Sequence, residues 1–496
     1  MPSSRPEPDP PTARSTRPVG ALDRYFEITA RGSSVSREIR GGLATFFAMS
    51  YIVVLNPLIV GTAPDSTGAT LGVTAVASAT ALVAGVMTIL MGVVGKYPFA
   101  IATGLGLNAF LASVVAPQMT WADAMGLIVI EGVIITILVL TGLRTAVFNA
   151  VPGQLKTAIS VGIGLYIALI GFVDAGFVRR IPDDAGTTTP LQLGIDGNLA
   201  GWPVFVFAIG VLITAALVSR RVKGAILLGI LSTTVLAVIV EALTSTGPST
   251  GADGSSNPRG WGLVVPTLPD KLVDVPDLGL LGQFNLLGSF DRIGLVAVLL
   301  LVFTLMLVDF FDTMGTVVGL GAEADLLDNK GNLPGIGRVF FIDSISAIAG
   351  GAGSTSSNTT FIESAAGIGE GARTGLANVV TGTLFLLAMF FTPLISIVPF
   401  EAASPALVII GFLMLTQVRG IDFSDYGVAI PAFLTMVVMP FSYSISAGIG
   451  IGFVSYAVLR TVQGRAREIH PLMWVVAALF VIYFTIEPIQ GLLGLS

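Results

Sequence analysis

The side chains able to do chemistry in this sequence are carboxylates set inside apolar runs. Asp309 and Asp312 stand three residues apart in Val308-Asp309-Phe310-Phe311-Asp312-Thr313-Met314-Gly315-Thr316, so a helix places them on neighbouring faces of one turn. Glu363 follows Asn358-Thr359-Thr360-Phe361-Ile362, Asp343 sits in Phe341-Ile342-Asp343-Ser344, and Glu131 interrupts an otherwise apolar stretch. A carboxylate at the centre of a membrane helix costs about 2.5–3.5 kcal/mol or more, so an acid retained there is expected to hold a ligand, carry a proton or pair with a packing hydroxyl. The chain has no cysteine, and its single histidine, His470, lies in a polar stretch near the C-terminus. Thiolate metal sites and cysteine nucleophiles are therefore excluded. Any proton handled within the membrane is handled by carboxylates.

Two segments beside these acids cannot make good membrane helices. Gly350 to Thr360 reads Gly-Gly-Ala-Gly-Ser-Thr-Ser-Ser-Asn-Thr-Thr, where glycines and hydroxyls favour extended backbone, and a helix restarts near Phe361. Thr103-Gly104-Leu105-Gly106-Leu107-Asn108-Ala109-Phe110, after Pro98, has the same design in the first half of the chain. Paired interruptions in two halves point to a binding site near the bilayer midplane, with half-helix N-termini offering amides to an electron-rich ligand. The alternative is that both segments are small-residue packing seams.

The elements that must position these residues are membrane helices. Of 496 residues, 53% are hydrophobic and only 11% charged, against about 25% charged in soluble domains. Mean hydropathy is +0.87. Apolar runs near the ~20 residues that cross a bilayer recur throughout, without the ten-residue alternation of an outer-membrane barrel. The fold class is thus all-α and polytopic. Residues 1–20, rich in Pro, Ser and Arg, read as a disordered cytoplasmic tail without a signal peptide.

Spans are expected near 41–62, 71–95, 98–116, 123–142, 151–174, 202–219 and 224–243. After a polar extracytoplasmic loop at 245–292 come 293–320, 336–350, 352–368, 374–397, 403–418, 426–440 and 442–460. With a cytoplasmic N-terminus, Lys96, Arg144, Lys156, Arg220, Arg221, Lys223, Lys330, Arg338, Arg373, Arg419, Arg460, Arg465 and Arg467 all fall inside. The exceptions, Arg179, Arg180, Arg259 and Lys271, fall in longer outer loops. A last apolar stretch at 472–494 is either a further span or a sign that 426–460 is one helix kinked at Pro440. Met125–Val173, with Val151-Pro152, matches Ala377–Val418, with Ser404-Pro405. An odd number of spans per unit then makes a seven-plus-seven inverted repeat, residues 41–243 and 293–460.

These segments resemble the nucleobase-ascorbate transporter superfamily, and within it the AzgA-like branch of hypoxanthine/guanine/adenine permeases, from about Leu22 to Glu487. The resemblance rests on Gly41-Gly42-Leu43-Ala44-Thr45-Phe46-Phe47-Ala48-Met49-Ser50-Tyr51-Ile52 with Asn56-Pro57, on Gly104 to Phe110, on Asp309 to Thr316 and on Ile362-Glu363-Ser364-Ala365-Ala366-Gly367. Ser356-Ser357-Asn358 is more polar than the branch pattern and bears on fine substrate preference.

The resemblance implies a core of spans 1–4 and 8–11, a gate of spans 5–7 and 12–14, and a short strand before a half-helix in spans 3 and 10. It implies a homodimer in the cell membrane importing purine bases by alternating access. Asp309 and Glu363 take the positions of the family's base-holding acids, and Asn108 that of its span 3 asparagine. Gly106, Ala109, Thr359, Thr360 and Phe361 complete the expected substrate site, with Asp309, Glu363 and Asp312 as proton-coupling residues. Proton symport is expected, with sodium coupling as the alternative. No cofactor, metal, catalytic residue or nucleic-acid partner is expected, and no Gly-x-x-x-x-Gly-Lys phosphate loop is present. A uracil/xanthine or anion transporter of the same fold is the runner-up. An anion carrier, however, wants a basic residue near the half-helices, and none occurs at 97–143 or 339–372. A membrane enzyme is the other class considered, and it lacks a nucleophile or metal-ligand cluster.

Overall fold

A computed structural model describes residues 20–141, 151–181, 190–250, 256–269, 271–328 and 333–492. The tail at 1–19, Arg144 and Lys330 lie outside the described residues. The chain is built from membrane-length helices, because a span in lipid must satisfy its backbone internally.

Among the described residues, nine helical segments are long and apolar enough to cross a bilayer unaided: Val35–Val60, Val73–Gly95, Trp121–Leu140, Gly153–Asp174, Trp202–Ser219, Ala225–Thr244, Gly288–Phe310, Gly375–Leu394 and Phe400–Gly420. The other five spans are short or broken. They are Ile336–Ala352, Tyr426–Ser442, Ile445–Val462 and the two that carry strands β1 (Ile101–Thr103) and β4 (Asn358–Thr360). Two further strands among the described residues, β2 (Val178–Arg180) and β3 (Leu191–Leu193), pair antiparallel with each other.

The packing repeats with inverted order. Helix Val73–Leu90 lies against Gly375–Ala388, and its counterpart Ile336–Ala352 lies against Trp121–Leu140. Both seams are closed by glycine. A Cβ on Gly382 would come within 2.5 Å of the Gly85 carbonyl, and one on Gly132 within 2.7 Å of Ile348. Small residues let membrane helices approach until dispersion and weak hydrogen bonds replace the hydrophobic drive that lipid removes. The gate is centred on Gly153–Asp174 packed on Phe400–Leu415, where Gly164 approaches Met414 in the same way.

The 426–460 region is not one kinked helix. Tyr426–Ser442 ends at Tyr443 in the left-handed region (φ 54°), and Ile445–Val462 returns, so that Arg460 meets Asp425 at 2.9 Å. Pro440 sits inside the first arm without deciding the turn. Helix Pro471–Leu492 then packs through Phe480 onto Phe303 and Phe453.

The polar loop after residue 244 is pinned to the helices. Trp261 Nε1 donates to Glu241 at 2.7 Å and Gly262 N donates to Glu401 at 3.0 Å. Arg179, an exception to the charge pattern, donates to the Pro258 carbonyl at 2.8 Å, and Arg292 pairs with Asp123 at 2.6 Å.

Candidate functional site

The two interrupted spans meet at the centre of the molecule. β1 and β4 pair antiparallel in the register Ile101↔Thr360, Ala102↔Thr359, Thr103↔Asn358. The pairing extends past both strands, with Gly104 N donating to Ser357 O at 3.1 Å and Phe361 N to Ala100 O at 2.9 Å. Backbone exposed by breaking two helices is thus consumed by joining them. The free edge of β1 is closed by Thr88, whose hydroxyl donates to Ile101 O at 2.9 Å and accepts from Ile101 N at 3.0 Å. β1 runs into helix Leu105–Phe110, and β4 into a turn at Ile362–Ser364 and then Ala365–Gly369.

A cavity of about 600 Å³ opens at this crossing, within the usual range for a small-molecule site. Gly104, Leu105 and Gly106 line it from one half-span, and Thr360, Phe361, Ile362 and Glu363 from the other. Tyr51 comes from the first span, Asp312 and Thr316 from the helix Gly288–Glu323. The gate supplies Ser160, Ile410, Leu413 and Met414, followed by Thr416 and Gln417. Gly106 is obligatory for this closeness, since a Cβ there would lie 2.6 Å from Ile163 of the gate.

Two carboxylates face the cavity, each held on one side. Tyr51 OH donates to Glu363 Oε1 at 2.5 Å, leaving Oε2 for a ligand. Thr359 Oγ1 donates to Asp312 Oδ2 at 3.3 Å, and Asp312 is exposed to the opening. The Tyr51 ring lies 6.5 Å from that of Phe361, tilted by 43°. A flat heterocycle therefore finds an aromatic edge, an acceptor-only group and backbone at both half-helix starts.

Of the residues expected from the sequence, Gly106, Thr360, Phe361, Glu363 and Asp312 line the cavity. Asp309, Asn108, Thr359 and Ala109 stand behind them and are buried. Asp309 lies one turn before Asp312. Asn108 Nδ2 donates to Thr103 Oγ1 at 3.2 Å, while its Oδ1 has no partner among the described residues. Tyr51 was visible only as part of a motif. A tyrosine among apolar residues of a first span gives no hint that it reaches an acid more than three hundred positions later. Asp343, behind β4, accepts from Thr360 N, Thr360 Oγ1 and Thr313 Oγ1 at 3.1 Å each. Among the described residues no group of acids, histidines and cysteines has the arrangement of a metal site.

A model of the permease family that includes xanthine and uracil carriers matches residues 36–451. The chain belongs to the nucleobase-ascorbate transporter superfamily. It is 37% identical over 471 residues to the guanine/hypoxanthine permease PbuG of Bacillus subtilis, covering 93% of this chain and 99% of that one. It is 36% identical to the adenine permease AdeP of Escherichia coli, covering 93% and 96%. Among solved structures it is similar to the transmembrane domain of the cyanobacterial bicarbonate transporter BicA, with a TM-score of 0.56 at 16% identity over 84% of this chain and 96% of that one. The murine anion transporter Solute Carrier 26 family member A9 gives a TM-score of 0.57 at 10% identity over 86% and 68%. The permease therefore shares the fourteen-span, seven-plus-seven inverted-repeat fold of these carriers, with core and gate, and is a multi-pass membrane protein and not an enzyme.

Proposed function

We propose that this permease imports purine nucleobases, hypoxanthine, guanine or adenine, by proton symport through alternating access. The observation that carries the reading is the cavity at the strand crossing, where Glu363 and Asp312 face a space of purine size in a chain 37% identical to a guanine/hypoxanthine permease. A purine presents ring N–H donors that a carboxylate accepts and ring nitrogens that amides and hydroxyls satisfy. Oε2 of Glu363 is the natural acceptor, since Oε1 already takes the Tyr51 proton. Phe361 and Tyr51 bound the plane of the base, and Thr360 and Gly106 shape its edges. Asp309, Asn108, Thr359 and Ala109 act one layer out, fixing the half-helices that carry the contacts.

Hypoxanthine is neutral at pH 7, so a carboxyl can gain a proton as the base arrives and lose it as the base leaves without charge on the cargo. Asp312, Glu363 and the buried Asp309 are the groups available for that exchange. The core, spans 1–4 and 8–11, carries the base past the gate, spans 5–7 and 12–14, with the N-terminus cytoplasmic and two chains forming a homodimer. Sodium held at Asp309 is the alternative coupling.

The test is uptake of radiolabelled hypoxanthine, guanine, adenine and uracil by expressing cells, repeated with a protonophore and without sodium. Purine uptake that the protonophore abolishes and sodium removal spares is the expected result. Uracil uptake without purine competition would overturn the purine assignment, and loss on sodium removal would overturn proton coupling.

A further inference from the structure

Glu131 has no part in the mechanism above, yet it is fully buried in the seam between Trp121–Leu140 and Ile336–Ala352. Neither of its carboxyl oxygens has a hydrogen-bond partner among the described residues. The seam is tight on either side of it. A Cβ on the adjacent Gly132 would lie 2.7 Å from Ile348, and one on Gly351 2.8 Å from Val129. A bare carboxylate cannot be held in such a place without compensation, whereas a neutral acid can.

Asp343 is fully buried on the facing helix Ile336–Ala352, which packs along Trp121–Leu140 and approaches Gly132 through Ile348. It is the ionisable group across the seam from Glu131, with Ser357 the hydroxyl beside it. Asp343 behaves as the opposite kind of group. One of its oxygens gathers three donors, Thr360 N, Thr360 Oγ1 and Thr313 Oγ1, the pattern that favours an ionised acid. Two acids so placed divide one proton between them, as like charges in a dry site cannot both persist.

We propose that Glu131 and Asp343 form a proton-sharing pair behind β4, a second proton-linked position that tunes the substrate cavity through Thr360. Thr360 is the last residue of β4 and lines the cavity. When the shared proton sits on Glu131, Asp343 is charged and grips Thr360. When the proton passes to Asp343, that grip weakens and β4 is free to shift against β1. The titratable group of helix Gly288–Glu323 that acts on the pair is Asp312, through Asp343, and Asp312 is in turn influenced by Glu363. Helix Val73–Leu90, which also packs against Ile336–Ala352, carries no ionisable residue, and the remaining charges of the pair's own helices, Asp123 and Arg338, lie near their ends.

The inference rests on the proton-symport reading for its role in transport, but not for the existence of the pair. Infrared spectroscopy of the purified protein without substrate reads protonated carboxyls directly and so separates the two. The parent is expected to show a protonated-carboxyl C=O band at pH 7, and Glu131→Gln to lack that component while still binding hypoxanthine within about threefold. Asp343→Asn is expected to keep the Glu131 band but move its titration midpoint by about one pH unit or more, the coupling expected of interacting sites. The same measurement on Asp343→Asn decides the matter if Glu131→Gln does not reach the membrane. In liposomes, Glu131→Gln is expected to displace the pH profile of uptake. A band unchanged by Glu131→Gln, or an unmoved midpoint in Asp343→Asn, would overturn the pair. An intact pair with an unchanged pH profile of uptake in Glu131→Gln would overturn its link to transport.

Discussion

The two interrupted spans share a backbone plan but not a chemistry. Each has a three-residue strand followed by a short helix, and the strands pair register for register. The first, from Tyr97 to Gln118, contains no charged residue. Its polar centre, Asn108, is turned inward onto Thr103. The second carries Glu363, ties Thr359 to Asp312 and Thr360 to Asp343, and is backed by Glu131. Inverted duplication thus supplies a symmetric crossing, while the acids at the cavity all come from the second half of the chain. A neutral first arm also avoids adding a further charge to the two carboxylates that face the cavity, which would be costly without a partner.

If the scaffold is the symmetric part, breaking either glycine seam should do equal and large damage. Gly382→Val in one seam and Gly351→Val in the other are both expected to cut folded protein in the membrane severely, since each Cβ would press on a neighbouring helix and overpacking costs about 1–3 kcal/mol or more. Fluorescence-detected size-exclusion chromatography checks this. Normal abundance for one variant alone would show that the halves are not equivalent.

The chemical asymmetry predicts smaller and unequal effects on binding. Tyr51→Phe removes the donor to Glu363, a bond to a charged group worth about 1.5–3 kcal/mol, so purine Kd by calorimetry should rise roughly tenfold or more at unchanged protein yield. Asn108→Ala, on the neutral arm, should raise KM by about fivefold, the effect of one ordinary hydrogen bond of ~1 kcal/mol. Equal effects of the two substitutions would erase the distinction between the arms.

The smallest expected effect lies outside the spans. Burial pushes the Asp65 carboxyl up, but bonds from Thr67, Trp121 and Ala69 outweigh it and hold the group below the usual aspartate range. A lowered folded value means that its stabilisation is complete above the ordinary range and is lost as pH falls through it. The Tm of Asp65→Asn should therefore fall below that of the parent at pH 7, and the difference should shrink on acidification. A difference independent of pH would show that the carboxyl charge is irrelevant there.

Much of this comparison was legible in the sequence. Glycines and hydroxyls in otherwise apolar runs mark where a membrane helix must break, and acids in such runs mark where lipid cannot be the neighbour. Long-range partnership was not legible. Nothing local in Ser50-Tyr51-Ile52 says that the hydroxyl reaches Glu363, and the turn at Tyr443 hides behind Pro440, the residue that looks like the breaker. The difference between Asp312, which faces the cavity, and Asp309, one turn away and buried, depends on helix rotation, which spacing alone does not fix.

The central claim is that the acids of the second half convert a symmetric crossing into a proton-driven purine site, and it is tested by proton-driven hypoxanthine accumulation in liposomes measured beside counterflow. The parent should concentrate hypoxanthine when the outside is acidified and stop when a protonophore is added. Glu363→Gln and Asp309→Asn should fail to concentrate it while remaining folded, because the amides keep the shape of the acids and remove the charge and the proton. Glu363→Gln also adds a donor where the purine N–H needs an acceptor, a mismatch of about 1–3 kcal/mol that should weaken binding roughly tenfold. Accumulation equal to the parent's by both variants would contradict the account and make these carboxylates structural.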